Sequence, residues 1–254
     1  MNFRNIYNKT RMKNPSKKRL ISENYVLLNI IIKKITPFFA YPLHRIGISA
    51  DLITIFSFIT IIFASASFLL GHSNMGCFSI LLFGFLDSLD GDLARLNKSK
   101  TLHGQTLDTL GADLFYILIP FSITIFLYNQ NLENYFLEKE TVIIVGFLIS
   151  FLLTFNRLLG LRNYILFFNS KFLTTKKKNY KKKFSFFRSF FSYYENEFLR
   201  GNFFSEPGFI LNFSILIFIN AFQLLYYYLF IILIYLFINF IKLFIGTMIL
   251  YKGN

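Results

Sequence analysis

Five carboxylates stand close together in the sequence: Asp87, Asp90, Asp92, Asp108 and Asp113. They are 5 of the chain's 13 acidic residues, and they fall within 27 positions of a strongly apolar sequence. Ionisable groups placed inside apolar segments are costly and tend to be functional. On a helix, Asp87 and Asp90 are three apart and share a face. Asp92 lies about 200° round from Asp90 and points elsewhere. Gly91 leaves space over the backbone for a ligand or metal, and Arg95 follows one turn later. Carboxylates gathered in a low dielectric repel one another unless a cation intervenes. A hard divalent ion with all-oxygen ligands meets that need, and two ions could share the cluster. Carboxylate, metal and arginine together suit a diphosphate substrate, whose leaving phosphate must be stabilised. The alternative is that the acids pair with Arg95, Lys98 and Lys100 at a membrane edge. No His or Cys pattern suggests zinc, because His44, His72 and His103 are scattered and Cys77 is the single cysteine.

The elements that must carry these acids are apolar helices. The 254 residues are 54% hydrophobic and 16% charged, against about 45–50% and about 25% in an ordinary soluble domain. That excludes disorder and makes a soluble globular protein doubtful. A helix that spans a bilayer needs about 20 largely apolar residues. Residues 52–70, 107–128 and 142–159 meet this requirement. Residues 77–85 extend to position 93 only by carrying acids, and 107–128 begins with them. Residues 208–251 are too long for one helix across a membrane, so two spans joined near 220–223 are expected. Residues 24–41 are interrupted by Lys33 and Lys34, and the stretch before Pro37 is too short and too charged to span, which suits an amphipathic helix lying on an anionic surface.

The net charge of +14 then becomes a topology signal. With six spans, 25 of the 27 Lys and Arg fall on one side, leaving Lys139 opposite and Lys242 inside the last span. The positive-inside rule makes that side cytoplasmic. The expected fold is an all-α integral membrane protein: six transmembrane helices preceded by a cytoplasmic amphipathic interfacial helix. Residues 1–22 form a basic cytoplasmic segment. Residues 23–254 form the membrane domain, with a basic loop over 160–206. The run KKKNYKKK at 176–183 is expected to hold anionic membrane lipid, and a nucleic-acid partner is not expected.

The acids also carry a resemblance. Asp87-Ser-Leu-Asp90-Gly91-x-x-Ala94-Arg95, eight further residues, then Gly104-x-x-x-Asp108, resembles the signature D-x-x-D-G-x-x-A-R-x8-G-x3-D-x3-D of the class I CDP-alcohol phosphotransferases. Every signature position from Asp87 to Asp108 is present. Upstream, Gly47-Ile-Ser-Ala-Asp-Leu-Ile-Thr54 is similar to the family's G-x-[ST]-P-N-x-x-T, with Ala50 for Pro and Asp51 for Asn. The resemblance implies that an alcohol attacks the β-phosphorus of a CDP-alcohol and CMP leaves, in phospholipid biosynthesis. The phosphatidyl group of CDP-diacylglycerol is the expected cargo. Transfer of a CDP-activated head group to a lipid alcohol, an inactive relative and a cation transporter are the alternatives.

It further implies that Asp87, Asp90, Asp108 and Asp113 hold two divalent ions, Mg2+ or Mn2+, with Asp113 as catalytic base. Asp87, Gly91, Ala94, Arg95 and Gly104 would bind the CDP group, and Arg157 and Arg162 would take a polar acceptor. A homodimer is implied in the same way; the expected location is a membrane, the cell inner membrane if the source is bacterial, with the site at the cytoplasmic face. One departure stands out. The signature's last acid belongs at position 112, which is Ala112, and the acid stands at Asp113. In a regular helix Asp113 lies about 140° from Asp108. A π-bulge at Gly111 would restore the facing; otherwise Asp113 points away.

Overall fold

The structure, a computed structural model, describes residues 26–98, 101–130, 138–173 and 197–252. The basic segment 1–22 and the lysine run at 176–183 lie outside the described residues. Within them, all regular structure is helical: α1 (Leu27–Ile46), α2 (Ala50–Leu69), α3 (Ser73–Asn97), α4 (Leu102–Asn129), α5 (Thr141–Leu173), α6 (Glu197–Phe203), α7 (Glu206–Phe218) and α8 (Phe222–Lys252).

Among the described residues, four helices are long and apolar enough to cross a membrane: α2, α4, α5 over Thr141–Asn163, and α8 over Phe222–Met248. They expose large apolar side chains such as Ile55, Ile59 and Phe63 on α2 and Ile231, Ile234 and Phe237 on α8. In water that would be an aggregation surface; against acyl chains it costs nothing. α3 falls outside this group because Asp87, Asp90, Asp92 and Arg95 load its second half, and α7 because it has only 13 residues.

Contacts at the two ends show that the chain doubles back at each connection. At one end, the start of α2 meets the end of α3 and the start of α4, through Thr54 with Asp90 and Asp51 with His103. At the other, Phe68 of α2 packs on Phe126 of α4, and Phe126 on Phe222 at the start of α8. α5 runs against α4, with Thr124 near Gly146 at one end and Asp113 beside Arg157 at the other. α8 runs parallel to α5: the side-chain amides of Asn156 and Asn163 donate to the carbonyls of Leu236 and Leu243, each at 3.1 Å. The seven-residue step is the same on both helices, so the pair is in register over two turns. α7 must therefore return the chain to the far end between them. The break at Ile219–Ala221, with Asn220 at φ 55, falls where the charge-free length of 208–251 requires a turn.

The buried core joins Phe83, Phe115, Ile119, Phe126, Phe213 and Tyr226, with Phe83 stacked on Phe115 at 5.4 Å. Small residues let the helices approach closely. A Cβ on Gly146 would collide with the Thr124 side chain, and one on Gly84 would lie 3.1 Å from Ile210.

Two elements differ from the sequence expectation. α1 passes through Pro37 and Pro42 and ends only at Gly47, whose φ of 83 suits glycine. Each proline costs a backbone hydrogen bond, but α1 has tertiary support. It runs alongside the second half of α3, with Leu28 near Gly84, Thr36 on Asp92 and His44 on Asn97. α5 also continues to Leu173, so the expected basic loop 160–206 begins as helix and ends in α6 and the Glu206 turn.

Candidate active site

The acid-bearing half of α3 has two faces. On one, Asp92 accepts a hydrogen bond from the Thr36 hydroxyl of α1 at 2.6 Å and pairs with Arg95 one turn on. Asp92 points away from Asp90, as the helix period requires. The Arg95 guanidinium folds back over Gly91, where a Cβ would sit 3.3 Å from Nη1. The space that Gly91 was expected to open to a ligand is therefore filled by Arg95 itself. Its Nε is buried with no hydrogen-bond partner among the described residues.

On the other face, Asp90 is buried and accepts from Thr54 Oγ1 of α2 at 2.6 Å. That contact explains why the threonine closing the 47–54 motif belongs there. Asp87 comes within hydrogen-bond reach of Asp108 on α4, and the charges of Glu206, Asp90 and Asp108 all act on it. Gly104 sits one turn below Asp108, where a Cβ would lie 3.2 Å from Asp51 Oδ1 and from Thr101 Oγ1, the residue that caps α4. Asp87, Asp90, Asp108 and Gly104 are thus brought to one end of the α2–α3–α4 bundle. Ala94 lies on α3 between the two faces and is partly exposed.

α4 is regular α-helix from Leu102 to Asn129, and no π-bulge forms at Gly111. Gly111 instead receives Phe58 of α2, 2.9 Å from where its Cβ would be. Asp113 consequently keeps its angular offset from Asp108 and turns toward α5, where it pairs with Arg157 Nη1 at 3.2 Å. The Arg157 guanidinium also lies over the Tyr116 ring at 5.9 Å. Arg162 is exposed further along α5.

Sequence reasoning missed Glu206. It opens α7, close enough to Tyr116, Asp108, Arg157 and Asp113 for their charges and dipoles to act on it. A signal was present, since Glu206 heads an apolar run as Asp108 and Asp113 do, but nothing in the sequence says where α7 docks.

Among the described residues, no three His, Cys, Asp or Glu side chains are gathered tightly enough to enclose an ion as they stand. The chemistry of the donor set still fits a hard divalent cation. Every donor is a carboxylate oxygen, and Asp87 and Asp108 approach each other despite their like charge.

An apolar helical bundle with four membrane-length helices and acids collected at one end describes an integral membrane protein. A family model described as CDP-alcohol phosphatidyltransferase matches residues 48–188, more than half of the chain. The protein belongs to the CDP-alcohol phosphatidyltransferase family. No curated protein and no solved structure matches it. Membership makes it a transferase of a generally divalent-metal-dependent family, with a CDP-alcohol and an alcohol as substrates, and points to phosphatidyl transfer in phospholipid synthesis.

Proposed function

We propose that the protein transfers the phosphatidyl group of CDP-diacylglycerol to a polar alcohol, releasing CMP, at the cytoplasmic end of six membrane-spanning helices. The observation that carries this reading is the meeting of Asp87 and Asp90 on α3 with Asp108 on α4. The back-and-forth course of α2, α3, α4, α5, α7 and α8 supports six passes. The placement of 25 of 27 cations supports a cytoplasmic site. α1 would rest along the same interface, its Leu27, Ile31 and Phe38 exposed to lipid. A homodimer is retained from the family resemblance alone.

In this reading Asp87, Asp90 and Asp108 hold one or two Mg2+ or Mn2+ ions. When bound, the metal neutralises the diphosphate oxygens and the charge that develops on the leaving CMP. Arg95, held by Asp92 and seated over Gly91, contributes a fixed positive charge to the CDP group, and Ala94 and Gly104 add no bulk to the approach. The acceptor's hydroxyl oxygen forms a bond to the β-phosphorus as the bond from that phosphorus to the bridging oxygen breaks. The bridging oxygen and its electron pair depart with CMP. Arg157, with Arg162 further out, receives a polar or anionic part of the acceptor. An acceptor that draws Arg157 toward itself frees Asp113 to take the hydroxyl proton.

The test is to incubate purified protein with CDP-diacylglycerol labelled in its CMP part, Mg2+ or Mn2+, and a panel of polar alcohols. Acceptor-dependent CMP release that EDTA abolishes is expected, and the productive alcohol identifies the acceptor. Release from other CDP-alcohols only would overturn the donor assignment. No release from any would overturn the reading.

A further inference from the structure

The side-chain amide of Asn156 on α5 is half satisfied. Its nitrogen donates to the Leu236 carbonyl of α8 at 3.1 Å, while Oδ1 is buried with no hydrogen-bond partner among the described residues. The residue is only 7% exposed. Turning the amide round would set two carbonyl oxygens against each other, so the bond to Leu236 fixes which atom is left over. A buried acceptor without a donor is costly. Asn163, two turns on, makes the same bond to Leu243 and also leaves its Oδ1 unpartnered, but that residue is half-buried, where water can serve it. Asn156 lacks a donor that the described residues do not supply.

Its surroundings show from which side a donor can come. On the wheel of α5, Phe155 lies about 100° to one side of Asn156 and Arg157 about 100° to the other, with Gly160 one turn on and about 40° toward Arg157. Phe155 packs on Phe240 of α8 at 5.8 Å and closes the first flank. The second flank is open: among the described residues, a Cβ at Gly160 would meet nothing within 4 Å. Arg157 and its partner Asp113, both partly exposed, stand at the edge of that opening. A polar ligand that enters over Gly160 passes a guanidinium and a carboxylate and ends at the amide oxygen of Asn156.

We infer that Asn156 determines specificity for the acceptor: its Oδ1 receives a second hydroxyl of the acceptor, Gly160 leaves room for the carbon skeleton, and the acceptor is therefore a polyol. The inference rests on the transferase reading above and names the substrate class of its acceptor side. A monohydric alcohol leaves the Asn156 oxygen as unpaired as before. An amino alcohol brings a donor, but its ammonium would lie beside the Arg157 guanidinium, and like charges at close range repel. A hydroxyl donates without that cost.

CMP release by the full-length protein in nanodiscs, with CDP-diacylglycerol, Mg2+ and a panel of polyols, their deoxy analogues, monohydric alcohols and amino alcohols, tests this. Polyols should be the productive acceptors. In the parent protein, removing the recognised hydroxyl should raise the acceptor KM by about tenfold or more, because a buried polar group is then left unpaired. Asn156→Leu should raise the KM of the intact polyol by a similar factor, keep that of CDP-diacylglycerol within about twofold, and erase the difference between polyol and deoxy analogue. Asn163→Leu loses the same kind of bond to α8 and should keep the acceptor KM within about twofold of the parent's. Gly160→Leu should weaken the acceptor as strongly as Asn156→Leu while the unfolding midpoint holds, since its Cβ enters open space.

An Asn156→Leu protein that still distinguishes polyol from deoxy analogue, or a Gly160→Leu protein with the parent's acceptor KM, would overturn the assignment and mean that water alone meets Oδ1. An equal rise in Asn163→Leu would also overturn it, reducing both amides to ties between α5 and α8. Turnover with monohydric or amino alcohols only would overturn it while the transferase reading stands. A parent protein that releases no CMP with any alcohol would remove the transferase reading and this inference together.

Discussion

The two faces of the last three turns of α3 carry similar residues and treat them in opposite ways. Toward α1, Asp92 has a hydroxyl and a guanidinium within reach, so its charge is met inside the fold. Toward α4 and α7, Asp87 faces Asp108 and feels the charge of Glu206, which are more acids. A buried carboxylate with a fixed cationic partner is an architectural element. Carboxylates that face carboxylates destabilise the empty fold and await a cation. The first face tells how Arg95 is held, and the second where chemistry happens. Asp90 stands between them, accepting from the Thr54 hydroxyl and within the influence of both Asp108 and Arg95.

This contrast breaks most sharply at Asp108. Asp108→Asn should lower CMP release by more than about a hundredfold, beyond the cost typical of residues that only support a metal site. It should leave thermal unfolding of the metal-free protein unchanged or raise its midpoint, because one repelling charge is gone. A fall in both activity and metal-free stability would mean that the face is held by its acids rather than strained by them.

Asp92→Asn should behave in the reverse way. It strands Arg95, whose side chain is only 12% exposed, and breaking such a pair costs about 3–5 kcal/mol. A lowered unfolding midpoint in detergent, with or without metal, is the expected sign. Mn2+ affinity should stay near that of the parent protein; a tenfold loss would merge the two faces into one site.

Asp113→Asn asks whether the acceptor side is separate again. CMP release should fall while Mn2+ affinity holds, since Asp113 is engaged by Arg157 and not by Asp108. Unchanged turnover would remove Asp113 from the reaction.

Thr36→Val is a milder form of the Asp92 test. It removes one hydrogen bond to a buried carboxylate, at about 1–3 kcal/mol. Gly146→Ala, at the far end of the bundle, should cost a similar amount through its clash with Thr124, with metal affinity untouched. A change in Mn2+ binding from Gly146→Ala would show that packing at the far end reaches the acids.

Much of this was legible in the residues. The apolar runs gave the long helices, and the excess length of 208–251 gave the break that the structure places at Ile219–Ala221. The spacing from Asp87 to Asp108 gave the acids that meet across α3 and α4. The angular offset of Asp113 was read correctly as a departure, and the structure chose between its two outcomes. No bulge forms, because Gly111 is used to admit Phe58. The continuation of α1 through Pro37 and Pro42 was not legible. Local propensity argues against it, and only contacts with α3 more than fifty residues away offset the missing hydrogen bonds.

The sequence alone determined where the long apolar helices lie, which ends carry charge and which acids share a face of one helix. Those properties follow from a fixed period of 3.6 residues and from the cost of charge in hydrocarbon. Only the tertiary structure decided which acid has a partner and which has a rival. That depends on how neighbouring helices are rotated and at what depth they dock, which no period within a single helix encodes. Asp92 is neutralised because α1 brings Thr36 and the helix brings Arg95. The charge of Glu206 reaches Asp87 and Asp108 because α7 begins near them, although it is far away in the chain.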